Sequence, residues 1–439
     1  MQCAFVDDHF LDQAQVLGHL GEGTYGTVKL IQVSSNEVYA IKYIKIDDTG
    51  MSADAMKDAD ALSLLRSVPE VVQLKGICQS LDQLAIIMEP MQMDLSRHIF
   101  RTSSQERLRL FEKLFFSLIR AASIFRDAGL VHYDIKPANI LVSGEEFKLA
   151  DFGLSGRGSD YLPPPNILTT IAYRSPEVIF DRKLGTYPRY AIDMWSIGLV
   201  LVGYVRRSLG LFSSESIQQT GQEIHKMSTL GNLPYDDFAS LNQGKDVDGR
   251  VIIDLKGLID PKYINIITNL LELNPTDRST PDQILKYLQQ SPRAHHLLIP
   301  SGMRRVDNRI PRMLELLKLL EAGQFANLMA IELYTRYLGV SQLEEHPLGY
   351  LAAVRLTCEY NFISGQSISE LISTYRHLYS QEVTINEVKE AEEDLLNKLN
   401  FRIFYDDLIG ASYEMQNRNI DLKMVPIEEF SKSPIQWFK

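Results

Sequence analysis

The amino-acid sequence predicts an α+β fold in which a small strand-rich unit precedes a larger helical one, followed by a separate all-helical domain. Three observations lead there. Through the first hundred residues, short β-branched and aromatic runs alternate with turn residues. From Glu106 onward, apolar residues recur at helical spacing. Over residues 291–311, prolines, Gly302 and the arginines Arg304, Arg305, Arg309 and Arg312 just beyond interrupt that pattern, and only helical patterns follow.

Taken in order, residues 27–33 and 37–45 read as two strands of a hairpin around Ser34, Ser35 and Asn36. Leu110, Leu114, Phe115, Leu118, Ile119, Ala122 and Phe125 form one apolar stripe, which predicts a long amphipathic helix. After the interruption, helices are expected near residues 311–322, 324–338, 347–360, 367–379 and 384–399. Two of them open with capping boxes, Ser367 with Glu370 and Thr384 with Glu387, where each side chain satisfies the other residue's unpaired amide.

Composition bounds the function. With 439 residues, 45% hydrophobic and 23% charged, the chain is neither disordered nor fibrous, and at roughly 150 residues per domain about three folded units are expected. A net charge of -11 repels phosphate backbones and acidic membrane surfaces, so neither nucleic acid nor membrane is an expected partner. The three cysteines Cys3, Cys78 and Cys358 are too scattered for a disulfide framework or a metal cage, which suits a reducing compartment. Asp7, Asp8 and Asp12 stand where a signal peptide needs a basic flank and an apolar run. The longest apolar stretch, 197–205, is far short of the ~20 residues that span a bilayer. A soluble intracellular protein, cytoplasmic or nuclear, is expected.

Four motifs carry chemistry. Gly21-Glu22-Gly23-Thr24-Tyr25-Gly26-Thr27-Val28 puts three glycines between two strands, where backbone amides can close over phosphates. A strand follows where a dinucleotide fold needs a helix, which leaves a plain turn as the alternative. Farther on, Val38-Tyr39-Ala40-Ile41-Lys42 places a lysine on a strand, aimed at those phosphates or simply exposed at the surface. Val131-His132-Tyr133-Asp134-Ile135-Lys136-Pro137-Ala138-Asn139 gathers a carboxylate, an ammonium and an amide after the long helix. The carboxylate can orient a hydroxyl proton, the ammonium can neutralise a moving phosphoryl group, and the amide oxygen can ligate a hard cation. Asp151-Phe152-Gly153 supplies a second carboxylate for Mg²⁺.

With these motifs in this order, residues 10–298 resemble a eukaryotic-type protein kinase. The resemblance implies a bilobal protein kinase fold, with lobes at 10–92 and 93–298, and ATP and Mg²⁺ as cofactors. It implies that Lys42 holds the α and β phosphates, that Asp134 is the catalytic base, and that Lys136 meets the γ phosphate and marks a Ser/Thr enzyme. Thr170 would support Asp134 and Lys136, and Asn139 and Asp151 would carry the metal. Gly21, Gly23, Gly26, Val28, Ala40, Leu141 and Asp94 would complete the nucleotide site, with hinge residues Glu89 and Met91 behind a gatekeeper at Met88. Glu177 of Ser175-Pro176-Glu177 would pair with Arg278, and Asp193 would anchor the catalytic loop.

Within that family, Gly21-Glu22-Gly23-Thr24-Tyr25-Gly26, Tyr173-Arg174-Ser175-Pro176-Glu177 and Asp94-Leu95 look like a cyclin-dependent kinase. That likeness implies protein substrates with Ser-Pro or Thr-Pro sites, favoured by Arg174. It makes Thr24 and Tyr25 either inhibitory phosphorylation sites or mere loop fillers. Residues 311–409 resemble a cyclin box, an all-α cyclin-box domain behind a linker at 299–310 and ahead of a tail at 410–439. The likeness rests on Ala326-Asn327-Leu328-Met329-Ala330-Ile331-Glu332-Leu333-Tyr334-Thr335-Arg336-Tyr337-Leu338, on Leu351-Ala352-Ala353-Val354-Arg355-Leu356-Thr357-Cys358-Glu359-Tyr360, and on residues 392–401. Such a domain would act as an intramolecular partner, pushing the helix near residues 52–66 inward at an effective concentration in the ~mM range.

The sequence departs from the family in three places. The regulatory helix lacks its glutamate: counting back from Leu64 selects Asp60, and from Leu65 selects Ala61. The activating phosphoacceptor falls on Pro165, and Tyr133, Asp60 and Gly156 stand where arginines would hold its phosphate, so activity without activating phosphorylation is expected. Glu359 takes the place of the cyclin's kinase-contacting lysine, while Glu392 matches that lysine's partner. Two rival readings are a pseudokinase scaffold presenting a helical interaction domain, and an enzyme whose residues 311–405 dock substrate instead.

Overall fold

Alternating β-branched residues at the start of the chain form an antiparallel sheet of five strands in the computed structural model. These are β1 (Gln15–Gly23), β2 (Gly26–Gln32), β3 (Val38–Lys45), β4 (Leu74–Gln79) and β5 (Gln83–Met88), in the order β1-β2-β3-β5-β4. The structure describes residues 14–23, 26–33, 36–46, 51–79, 82–157, 170–180, 187–212, 215–244, 248–289, 329–330, 333–334, 336–338, 341, 347–360, 368–379 and 383–399. Thr24, Tyr25, Pro165, the expected helix at 311–322, the linker at 299–310, the box at Ser367 and the tail at 410–439 lie outside them. The described residues fall into two units, one drawn from Met1–Arg66, Gln73–Pro90 and Leu297–Lys439, the other from Ser67–Val72 and Met91–His296.

In the first unit, the period of two along β3 sends Ile41 with Ile31, Val33, Cys78, Ala85 and Ile87 into one core cluster. Tyr39 and Tyr43 pack on its edge. Ala40 and Lys42 therefore face the other side, with Lys42 registered between Val28 and Ile86. Gly26 has a local reason to be glycine: a Cβ there would sit 2.1 Å from the Tyr43 carbonyl oxygen. At Gly21 a Cβ would meet nothing within 4 Å, so strand packing does not require glycine there.

After β3 comes α1 (Ala53–Leu64), started by Ser52, whose hydroxyl accepts from the Ala55 N–H at 3.3 Å. All twelve of its residues are buried, charged ones included. The same unit contains α10 (Pro347–Tyr360), α11 (Ile368–Tyr379) and α12 (Ile385–Lys398). The expected capping box is present at α12, where the Thr384 N–H donates to Glu387 Oε2 at 2.8 Å and the Glu387 N–H returns to Thr384 Oγ1 at 3.2 Å. Residues 350–357 of α10 are buried throughout, as in a central helix, which packs on α11, α12 and α1. Tyr334, Tyr350 and Tyr375 meet ring to ring at 6.0 and 5.9 Å, and Met329, Leu333 and Tyr337 are buried beside them.

The second unit is mainly helical. It opens with β6 (Met93–Asp94), α2 (Leu95–Arg101) and α3 (Ser104–Asp127), and all seven residues of the expected stripe on α3 are buried. β7 (Leu130–Val131), β8 (Ile140–Ser143), β9 (Glu146–Leu149) and β10 (Gly156–Arg157) form two small sheets, β6-β8-β9 and β10-β7. Then come α4 (Pro176–Ile179), α5 (Tyr190–Arg206), α6 (Ile217–Met227), α7 (Tyr235–Gly244), α8 (Pro261–Leu270) and α9 (Pro281–Tyr287). The apolar run at 197–205 is the buried interior of α5, packed on α3 and α8. Among the described residues, no helix is long and apolar enough to cross a membrane.

Candidate active site

In the second unit, the turn after β7 carries Asp134, Lys136 and Asn139. Asp193 on α5 is buried and accepts from the His132 and Tyr133 amides at 2.8 and 3.0 Å, which fixes the backbone just ahead of Asp134. Burial pushes the Asp193 pKa up, while His132 and the two amide donors pull it down. Asn139 donates from Nδ2 to the Asp134 carbonyl and to its Oδ2, both at 2.9 Å. Lys136 Nζ lies 2.7 Å from the same Oδ2 and 2.8 Å from Thr170 Oγ1. Asp134, Lys136, Asn139 and Thr170 are thus brought together, with both side-chain donors, Asn139 and Lys136, on Oδ2 of Asp134.

Asp151 follows β9 and is exposed, with φ 65, in the left-handed region that few non-glycine residues adopt. Its neighbours explain how it is held. The Ala150 N–H donates to the Asn139 carbonyl at 2.9 Å, and Phe152, fully buried, packs on His132 and Phe125 with ring centroids 4.7 and 5.7 Å away. The donor set at Asn139 and Asp151 is one amide oxygen and one carboxylate, which fits Mg²⁺ shared with substrate phosphates and water. No cluster of three or more His, Cys, Asp or Glu suited to a metal cage occurs among the described residues.

Arg278 is buried against Glu177 in a bidentate pair at 2.7 and 2.8 Å, and it also donates to the Ala191 carbonyl at 2.9 Å. Its guanidinium lies 5.0 Å from the Trp195 ring. This is the pair expected from the sequence, and it fastens α4 to the start of α5.

In the first unit, the strand lysine has a carboxylate partner, but not the one that counting along the sequence selects. Lys42 Nζ lies 2.7 Å from Asp58 Oδ2, with the side chains 14% and 2% exposed. Counting offers Asp60 or Ala61, and the carboxylate at Lys42 is neither: Asp60 is two residues beyond Asp58, about 200° around the helix, and does not share the face that Asp58 turns to Lys42. At an effective dielectric near 20, a pair this close is worth about 6 kcal/mol gross, enough to orient the ammonium. Asp58→Asn is therefore expected to lower kcat/KM for ATP about 10- to 100-fold per folded molecule. Asp60→Asn should change it less than threefold, and equal losses in steady-state kinetics would contradict the assignment.

The other nucleotide candidates are placed as follows. Ala40 is buried and paired with Leu30 and with the half-buried Met88. The Glu89 N–H donates to the Gln73 carbonyl at 3.0 Å, so a backbone contact from Glu89 to a base would come from its carbonyl. Met91 is half-buried, and Leu141 pairs with Asp94 across β8 and β6. The Asp94 carboxylate caps α2, accepting from the Arg97 N–H at 3.0 Å and from the Ser96 hydroxyl.

The contact between the C-terminal helices and α1 is made by a residue that counting along the sequence does not select. Arg355 on α10 donates from Nη2 to the Met51 carbonyl at 2.9 Å, and its Nη1 lies 3.2 Å from Glu392 Oε2 on α12. Both side chains are almost wholly buried. The cation that meets Glu392 thus sits one helical turn before Glu359, so the contact differs in detail from the one the family resemblance implies. The Glu359 side chain lies outside the described residues.

A five-stranded sheet bearing a paired lysine, and a catalytic loop tied to a buried aspartate, define a protein kinase domain. Residues 14–288 match the family model described as Protein kinase domain, and the chain belongs to that family. It is similar to "Cell division control protein 2 homolog 3" of Trypanosoma brucei brucei, 28% identical over 286 residues covering 61% of this chain and 88% of the relative. "Cyclin-dependent kinase 1" of Encephalitozoon cuniculi (strain GB-M1) is 29% identical over 294 residues, covering 63% and 97%. A probable serine/threonine-protein kinase of Dictyostelium discoideum is 26% identical over 298 residues, covering 63% and 56%.

Proposed function

We propose that the chain is a serine/threonine protein kinase of the cyclin-dependent type whose C-terminal helices serve as its own cyclin-like activator. It transfers the γ-phosphate of ATP to protein Ser or Thr hydroxyls, Ser-Pro and Thr-Pro sites first, without activation-loop phosphorylation. The kinase lobes are 10–92 and 93–298, and the cyclin-like domain is 311–409. The observation that most supports this reading is the Arg355 hydrogen bond to Met51, the residue before the Ser52 cap of α1. That helix carries Asp58 to Lys42, so holding its start also holds the lysine's partner. The names of the similar kinases, with their cyclin-dependent and cell-division terms, point the same way.

On this reading Lys42 meets the α and β phosphates, and Glu89 and Met91 receive the adenine. Asn139 and Asp151 would hold Mg²⁺, which would supply charge neutralisation at the phosphates. Asp134 Oδ1 orients the substrate hydroxyl and accepts its proton, because Oδ2 is already held by Asn139 and Lys136. Lys136, fixed by Thr170, offsets the negative charge on the moving phosphoryl group. The preference for proline rests on the resemblance of Tyr173-Arg174-Ser175-Pro176-Glu177 to the cyclin-dependent kinases; the half-buried Arg174 borders the same small cavity as Asp134 and Thr170.

The test is phosphotransfer by phosphatase-treated full-length protein to a Ser-Pro peptide, with Mg·ATP and no added cyclin. Turnover is expected in the absence of any upstream kinase, with kcat/KM about tenfold or more lower for the matched Ser-Ala peptide. An absolute need for an added cyclin or an upstream kinase would overturn the reading, and equal rates on the two peptides would remove the proline preference.

A further inference from the structure

The place where the family keeps an arginine for the activating phosphate is taken by Tyr133, and the structure gives that tyrosine a different occupation. Its backbone has φ 65, so the loop immediately before Asp134 adopts a conformation that a residue with a Cβ enters only when its surroundings enforce it. Two restraints enforce it. Asp193 accepts the Tyr133 N–H at 3.0 Å, and the ring is buried in a cluster with Val131, Val178, Tyr187 and Ile192.

That cluster joins separate parts of the second unit. Val131 is on β7, at the start of the catalytic loop; Ile192 is on α5; Val178 is on α4, next to Glu177. Glu177 is itself locked by the bidentate pair with Arg278, so α4 is a fixed anchor for whatever packs on Val178. The cavity bordered by Tyr133, Asp134, Thr170, Arg174 and Ser196 measures about 10 Å³, room for roughly one water, so the ring has little space to shift. Burial raises the phenol pKa to about 12, and the group stays neutral across the working pH range. Arg189 Nη1 lies 3.5 Å from the phenol oxygen, at the outer limit of a hydrogen bond.

We propose that Tyr133 is a positioning residue: its ring is an apolar latch between the catalytic loop and α4 that holds Asp134 in place with no phosphate to organise the loop. This inference rests on the kinase reading above and deepens its claim of phosphorylation-independent activity. An arginine at this position would put a cation among Val131, Val178 and Ile192 and would need an anion to balance it. The tyrosine closes the same ground by packing, at all times. The latch acts on the loop and not on the nucleotide, so its loss should appear in turnover and leave ATP affinity nearly unchanged.

The experiment compares phosphatase-treated full-length wild type, Tyr133→Ala, Tyr133→Phe and Val178→Ala. Rates are normalised to the fraction of molecules that bind Mg·ATP, so that loss of folded protein does not mimic loss of positioning. Tyr133→Ala is expected to lower kcat about 10- to 100-fold with KM for ATP within threefold of wild type. Tyr133→Phe should restore kcat to within threefold, and Val178→Ala should lower it in the same direction by a smaller factor. Wild-type turnover together with a Tyr133→Ala kcat within threefold would overturn the latch alone. A Tyr133→Phe loss equal to that of Tyr133→Ala would also overturn it, by assigning the effect to the hydroxyl. A wild type that turns over only after treatment by an upstream kinase, or never, would overturn the kinase reading as well.

Discussion

Asp134→Asn is expected to reduce kcat about a hundredfold to ten-thousandfold, roughly 3 to 5 kcal/mol of transition-state stabilisation, without weakening ATP binding. The direction follows from how the carboxylate is held. Oδ2 accepts from both Asn139 and Lys136, and an amide must either keep its oxygen there and turn an NH₂ toward the substrate hydroxyl, or turn the NH₂ toward two donors. In the first case the proton acceptor is lost; in the second the loop itself is forced apart. Lys42 and Asp151 do not share those contacts, so the Mg·ATP-dependent rise in melting temperature should stay close to that of wild type. The measurement is single-turnover phosphotransfer alongside a melting assay. A variant that keeps a tenth or more of the wild-type rate would deny Asp134 its assigned role.

Arg355→Ala is expected to destabilise the first unit by about 3–5 kcal/mol, because it breaks an ion pair whose two side chains are almost wholly buried. It also removes the donor to the Met51 carbonyl. The two effects can be separated. Replacing both Arg355 and Glu392 by apolar residues of similar size, Arg355→Met with Glu392→Leu, should recover most of the stability, since apolar replacement of a buried pair is often neutral or better. If the contact with Met51 steadies α1, the double variant should fold like wild type and still lose kinase activity at least tenfold. Chemical denaturation and a peptide kinase assay on the same preparations check this. Full activity in the stable double variant would show that the pair only holds the helices together.

The catalytic loop was legible in the sequence because its chemistry is local: Asp134, Lys136 and Asn139 fall within six residues, and strand alternation alone placed Lys42 on one face of β3. The long helix was legible because only one side of it is buried. The partner of Lys42 was not. Every residue of α1 is buried, so no contrast between apolar and polar faces fixes the helix rotation, and Asp54, Asp58 and Asp60 look alike as text. Arg355 was hidden for a related reason. A buried charge on a helix of mostly small and apolar residues reads as an ordinary surface arginine until its carboxylate, 37 positions away, is brought beside it. Both concern long-range pairing, which single-sequence periodicity does not encode.

The guanidinium of Arg355 closes on a peptide oxygen at Met51, not on that residue's side chain. Every amino acid presents the same oxygen, so this clasp registers the path of the main chain and ignores its lettering. Exchange of buried Met51 for an apolar residue of similar size should leave this oxygen in place, whereas a residue inserted between it and the adjacent capping serine would move the oxygen out of reach.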